Sequence, residues 1–421
     1  MKFLIKTLGC KVNTYESNVM RDILLNEGYE EVEENADIVI VNTCTVTNTS
    51  DSKSLKVIKQ CIKNNEGAIL IVCGCFSQIN PDRLKDMKGV SIVLGNYHKS
   101  KIMDYINEYK KTGKQIIDIV DLDKADFECM KLNNFNKTRA FVKIEDGCEN
   151  FCSYCIIPYS RGKVRSKKRE DVLEEVNTLV NNGHREIVLT GIHTGHYGAD
   201  LENYNFANLL EEICKIEGLE RLRISSIEIT ELDEDFMKVL KENPKIVDHM
   251  HIPMQSGCTK TLKDMNRKYD KDYFINKINE IRKIRPNMSV TTDVIVGFNN
   301  ETDEDFNETV ETIKTIEFTK IHVFPFSVRK GTKAETMDGA VKESIKKERV
   351  HVLLDLSKEL EIKYMKKFIG KKVKFIKEIE KNGFAIGHTD NFLLIKSQKK
   401  PINDETLEIE IKDIEYPYCI D

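Results

Sequence analysis

Cys148, Cys152 and Cys155 stand in the stretch EDGCENFCSYCIIPYSRG with the spacing C-x3-C-x2-C. Thiols this close can converge on one metal centre, but structural zinc wants four ligands, usually supplied as two short clips. No second clip follows, and the nearest histidine is His184. An iron–sulfur cubane suits the set better, because it offers four iron corners and three cysteines leave one open. An open corner is a place where a substrate or cofactor can bind.

A second set is dispersed. Cys10 follows the apolar run KFLIKTLG, Cys44 follows DIVIVNT, and Cys75 follows AILIVCG. If those runs are neighbouring parallel strands, all three thiols fall on the carboxyl edge, where open α/β sheets build their sites. The alternative, three buried structural cysteines, leaves their shared place just past a strand unexplained. Cys73 is a rival for the third position, and Cys75 is favoured because it lies beyond the strand in a Gly-Cys turn.

These residues need elements to hold them. Residues 1–112 alternate short β-rich runs with helical patterns, the rhythm of βαβ units on a parallel sheet. Residues 113–138 read as a connector, with Cys129 incidental. From 139 to 368 a second alternation begins, with strand candidates AFVKIED, EIVLTG, RLRISS, HMHIPM, VTTDVIVG and KIHVFPF separated by helical stretches. Six such strands make an open sheet or most of a β/α barrel, with polar residues gathered at the strands' carboxyl ends. A long helix near 340–368 leads into short strands over 369–421, read as a small β-barrel. The fold class is therefore α/β with an appended β domain.

Composition sets outer bounds. The chain has 421 residues, 65 Lys and Arg against 69 Asp and Glu, and twelve cysteines. Its apolar runs are far shorter than the ~20 residues needed to span a bilayer, and the N-terminus carries no signal-peptide pattern. A cytoplasmic protein is expected, and its cysteines then point to metal or catalysis before disulfides. The basic stretches 161–170 and 363–377 are in general no more than solvated helix faces.

The C-x3-C-x2-C spacing, with Tyr154 before its last cysteine and a first barrel strand ahead of it, resembles the signature of the radical S-adenosylmethionine superfamily. The resemblance extends along the chain. LGCKVNTYES, VNTCTVTN and GCFSQ resemble the N-terminal domain of the methylthiotransferases. HIPMQSGCTKTLKDMNRKY, TDVIVGF and HVFPFSVRKGT resemble their barrel motifs, and the C-terminal piece resembles the RNA-binding TRAM domain. LGCKVN and TCTVTN look most like the branch acting on N6-threonylcarbamoyladenosine in tRNA. Other branches act on isopentenyladenosine in tRNA or on an aspartate of a ribosomal protein. The chain departs from the family's usual residues at Ile229, Asn299, Asn300, Val328 and Lys330.

The resemblance implies a methylthio transfer to C2 of the adenine, an unactivated carbon that calls for cofactor-borne radical chemistry. It implies two [4Fe-4S] clusters, one on Cys148, Cys152 and Cys155 with S-adenosyl-L-methionine at the open iron, and an auxiliary one on Cys10, Cys44 and Cys75. Tyr154, Thr190, Gly191, Ser225, Glu228 and Gln255 are expected near the cofactor. Arg267, Lys268 and Arg329, with Lys371, Lys372 and Lys374 in the TRAM-like domain, are expected on RNA phosphates. His193 and His196 read as turn or pocket residues, not metal ligands. The expected partners are the tRNA anticodon loop, a flavodoxin- or ferredoxin-type reductant and a sulfur donor. No membrane is expected, and a monomer is the default.

Overall fold

The computed structural model describes residues 1–135, 137–399 and 406–421. Residue 136 of the expected connector and residues 400–405 of the expected C-terminal domain lie outside the described residues.

The apolar runs Ile38–Thr43 and Ile69–Gly74 are buried at every position, which requires cover on both sheet faces. Helices supply it: Lys11–Asn26 and Ile102–Thr112 shield one face, Asn48–Asn64 the other. The sheet has six parallel strands in the order Glu30–Glu31, Lys2–Thr7, Ile38–Thr43, Ile69–Gly74, Ile92–Leu94, Ile116–Asp118. Its last strand lies in the expected connector. Farther along that segment Met130, Leu132 and Phe135 are buried in the core of the central domain, and Tyr15 Oη donates to the Met130 carbonyl at 2.7 Å.

All six expected central strands form, in chain order and parallel. Arg139–Lys143, Glu186–Thr190 and Arg221–Ile224 make one sheet; His249–His251, Ser289–Val296 and Lys320–Pro325 make the second. A bridge between Leu222 and Ile246 seams them into a partial barrel. Val142, Leu189, Leu222, Val290 and Val294 belong to its largest core, formed against the crossover helices.

The helix Glu343–Lys366 packs on the last barrel strand, where Ile321 N donates to Ser357 Oγ at 2.9 Å. It then gives Tyr364 and Met365 to the core of a six-stranded C-terminal sheet, antiparallel apart from Leu394–Ser397 beside Tyr418–Ile420. That sheet docks at the amino ends of the barrel strands. Arg221 donates to the Lys374 carbonyl at 3.0 Å, and Arg139 pairs with Glu378 at 2.9 Å. Phe392 stacks on His249 with centroids 4.5 Å apart. No helix among the described residues is long and apolar enough to cross a membrane.

The N-terminal domain is fastened to the opposite end of the barrel. Arg329, expected on RNA, instead pairs with Asp51 at 2.9 Å and donates to Asn48 Oδ1 at 2.6 Å and Thr45 Oγ1 at 2.9 Å. Its side chain is 5% exposed, so it clasps two domains and presents nothing to phosphate. Arg329→Ala is expected to cost about 2–3 kcal/mol by stranding Asp51 and Thr45, seen as a lower thermal midpoint and faster proteolytic cleavage after the barrel.

Candidate functional site

Three of the cysteines sit where a glycine forces a sharp exit from the strand. Gly9, Gly74 and Gly147 precede Cys10, Cys75 and Cys148 with φ of +100°, +100° and +97°. At Gly74 an added Cβ would lie 2.5 Å from the Thr43 carbonyl oxygen, and at Gly147 1.9 Å from that of Lys163. Only glycine fits this close backbone approach. A Cβ at Gly9 would meet Cys44 Sγ at 3.0 Å, so Cys44 lies against the Gly9-Cys10 turn. Cys10, Cys44 and Cys75 thus stand at the ends of three adjacent strands. Cys73, the rival, is fully buried among Phe3, Met20, Ile71 and Leu94.

Cys148, Cys152 and Cys155 follow the first barrel strand, on a loop tied to other parts of the barrel. Cys148 N donates to the Gly162 carbonyl at 3.0 Å, Ser153 N to that of Met265 at 3.0 Å, and Ala334 N to that of Ser153 at 2.7 Å. Burial pushes the Cys148 and Cys155 thiols up to about 12, so a metal must displace protons to bind them. Each set offers three soft sulfur donors, the donor chemistry of an iron–sulfur group. The residues present fit two such groups.

One arginine from the segment after the second set reaches the first. Arg161, six residues past Cys155, is fully buried, and its Nε donates to Cys75 Sγ at 3.3 Å. Its other nitrogens donate to Asn13 Oδ1 at 2.7 Å and Glu16 Oε1 at 2.6 Å. Against an upward push from burial, Arg161, Lys143 and Lys99 hold the Glu16 carboxyl well below its ordinary value. Arg161, Arg165 and Lys167 are all buried, which corrects the reading of 161–170 as a solvated stretch. Ordinary patterning could not reveal this, since the acids facing them lie elsewhere in the chain.

The comparisons agree with this arrangement. Residues 142–313 match the Radical SAM superfamily, and residues 2–95 match Uncharacterized protein family UPF0004. The chain is 41% identical over 423 residues to the threonylcarbamoyladenosine tRNA methylthiotransferase MtaB of Bacillus subtilis, covering 98% of this chain and 94% of that one. The chain belongs to the radical S-adenosylmethionine methylthiotransferase family. The MtaB of Thermotoga maritima is 42% identical, covering 89% of this chain and 86% of its own length. A tRNA-2-methylthio-N(6)-dimethylallyladenosine synthase of Clostridium tetani is 38% identical, covering 93% of this chain and 89% of its own. In fold alone, the chain is similar to the radical S-adenosylmethionine methyltransferase TsrM from Kitasatospora setae. The TM-score is 0.55 at 15% identity, covering 77% of this chain and 74% of that one.

Around the methylthiotransferase cysteines the other expected residues are divided. Thr190 and Gly191 end the second barrel strand, and Gly191 faces Glu145, whose Oε2 would lie 2.6 Å from an added Cβ. Ser225 is buried just past the third strand. Gln255, with φ of +66°, bridges to Val294. Val294 and Val296 are buried core. Tyr154 is half-buried against Phe298, with ring centroids 6.3 Å apart.

Glu228 and Arg267 form an ion pair, and Arg267 Nη1 donates to Cys152 Sγ at 3.2 Å. With its side chain 4% exposed, Arg267 is committed to the cysteine loop and cannot serve RNA phosphates, a correction to that expectation. Lys268, next to it, is exposed. Lys371, Lys372 and Lys374 are exposed on the C-terminal sheet, at the end of the barrel away from the cysteines.

His193 pairs with Glu231 and stacks on His196 with centroids 3.8 Å apart. Their ligand atoms lie within 4.8 Å of one another, so sequence reasoning undervalued the cluster. His193 Nδ1 is also 3.8 Å from Cys148 Sγ, which ties this cluster to the radical site. Among the family departures, Asn299 Nδ2 donates to the Ala334 and Met337 carbonyls at 3.1 and 3.0 Å, Asn300 N donates to the Gly339 carbonyl at 2.8 Å, and Ile229 is buried core. The Val328 carbonyl accepts from Asn48, so these positions serve structure.

Proposed function

We propose that this chain transfers a methylthio group to C2 of N6-threonylcarbamoyladenosine beside the anticodon of tRNA. The observation that carries the reading is that two incomplete cysteine sets stand past strand ends of two different sheets, with Arg161, six residues after the second set, buried against Cys75 of the first. The relatives named above, two of them threonylcarbamoyladenosine tRNA methylthiotransferases, support it.

In this reading Cys148, Cys152 and Cys155 hold one [4Fe-4S] cluster, and Cys10, Cys44 and Cys75 hold the other. With S-adenosyl-L-methionine bound, the first supplies a radical able to take hydrogen from C2, and the second supplies the sulfur. Thr190, Gly191, Ser225, Gln255 and Tyr154 ring the mouth of the barrel at its strand ends, where they position the cofactor. Arg267 and Phe298 pack against the half-buried cysteine loop at Cys152 and Tyr154. Lys268, Lys371, Lys372 and Lys374 anchor phosphates away from the target base, which is unstacked to reach the barrel mouth. A flavodoxin- or ferredoxin-type reductant and a sulfur donor complete a cytoplasmic, monomeric enzyme.

Lys11 favours the threonylcarbamoyl substrate. It follows Cys10 and lies within Coulombic reach of Arg139, Arg223 and Asp293 on the barrel strands. Arg139 pairs with Glu378 at 2.9 Å, Arg223 with Glu186 at 2.6 Å and Asp293 with His251 at 3.2 Å. Lys11 has no ion-pair partner among the described residues. An unpaired ammonium there suits an N6 substituent ending in a carboxylate better than a neutral isopentenyl group.

The test is an anaerobic reaction of the reconstituted chain with S-adenosyl-L-methionine, dithionite, sulfide and tRNA bearing either nucleoside, digested for mass spectrometry. Methylthio product from threonylcarbamoyladenosine alone is the expected result. Product from isopentenyladenosine alone would overturn the substrate. Cofactor cleavage with neither RNA changed would move the search to a protein side chain.

A further inference from the structure

The two cysteine sets are chemically alike, yet the one of the N-terminal domain is completed by a side chain from the barrel domain. Arg161 Nε donates to Cys75 Sγ at 3.3 Å, and Asn96 Nδ2 donates to the same sulfur at 3.4 Å. Both donors are fixed from several sides. Arg161 is held by Glu16 at 2.6 Å, by Asp146 at 3.2 Å and by Asn13 Oδ1 at 2.7 Å. Asn96 also donates to the Ser160 carbonyl at 2.7 Å, and its Oδ1 accepts from Lys99 Nζ at 3.1 Å. Arg161, Glu16 and Lys99 are fully buried, and Asn96 nearly so. None of these contacts can rearrange without opening the domain interface.

We infer that Arg161 and Asn96 are positioning residues that aim two N–H groups at the Cys75 sulfur and thereby set the reduction potential of the auxiliary iron–sulfur group. The inference rests on the assignment of Cys10, Cys44 and Cys75 as its ligands. Hydrogen bonds to ligand sulfur and nearby positive charge stabilise the reduced, more negative state and raise the potential. Glu16 and Asp146 partly offset the charge of Arg161, which leaves the directed N–H···S bonds as the specific contribution. Arg161 and Ser160 belong to the helix Ile157–Arg161, directly after the radical cysteine loop.

The experiment uses the full chain carrying C148A, C152A and C155A, so that only the auxiliary group is loaded. Iron content is measured first and shows whether the ligand assignment itself stands. The midpoint potential is then followed by electron paramagnetic resonance during redox titration. R161Q is expected to lower the potential, R161K to recover part of the fall, and N96A to lower it by a smaller step. A potential unchanged in R161Q at full iron content would overturn the inference. If R161Q fails to hold iron, N96A decides: a lowered potential supports the inference, and an unchanged one sinks it. A role confined to domain packing would lower the thermal midpoint and leave the potential alone.

Discussion

Cys75→Ala is expected to abolish methylthio transfer while leaving reductive cleavage of S-adenosyl-L-methionine to 5′-deoxyadenosine intact. The two cysteine sets stand on different sheets, and Cys75 is linked to the radical side by Arg161 and by Asn96, which also bonds the Ser160 carbonyl. Iron should fall from about eight to about four atoms per chain, the content of one four-iron group. Cys73→Ala is the discriminating partner. Its sulfur packs in the sheet core with Phe3, Ile71 and Leu94, so both iron and methylthio product should remain. The cost there is a small cavity, about 1–2 kcal/mol of stability. Iron loss in Cys73→Ala with retention in Cys75→Ala would reverse the ligand assignment. Iron analysis and product ratios on the two variants read the outcome directly.

Gly147→Ala is expected to unseat the cysteine loop that begins at Cys148. Its backbone has φ of +97°, and the new Cβ would sit 1.9 Å from the Lys163 carbonyl oxygen and 2.5 Å from its carbon. Both are backbone atoms, so no side chain can swing aside. Strain and overpacking together are worth at least about 3 kcal/mol. The next residue is Cys148, whose N–H bond to the Gly162 carbonyl must break if the chain moves. Loss of the radical cluster and of all deoxyadenosine formation is therefore expected, beyond the fall in thermal midpoint. Gly183→Ala supplies the control, since its φ is +96° but nothing lies within 4 Å of the added Cβ. There only the backbone term remains, roughly 1–2 kcal/mol, with cluster content unchanged. Equal effects at the two glycines would show that the clash with Lys163 is relieved cheaply.

The sequence alone was enough for the strands that carry the cysteines. Wholly apolar runs such as IVIV and ILIV signal strands buried on both faces, and Gly-Cys just beyond a run marks a sharp turn with a thiol at the sheet edge. Both signals are local in the chain, as are the six barrel strands and the glycine that separates Cys75 from Cys73. The final strand Ile116–Asp118 was missed, being only three residues long and only partly buried. Tertiary structure alone decided the charged residues. Arg161, Arg267 and Arg329 look like any other arginine in a row of polar letters, and each was read as solvated or as an RNA contact. Their partners, Glu16, Glu228 and Asp51, lie between 39 and 278 residues away in the chain. Whether an arginine is buried depends on whether an acid from another element arrives to pair with it, because an unpaired buried charge is too costly to keep. Hydrophobic periodicity records which face of an element is turned inward; it carries no record of which distant side chain will meet it there.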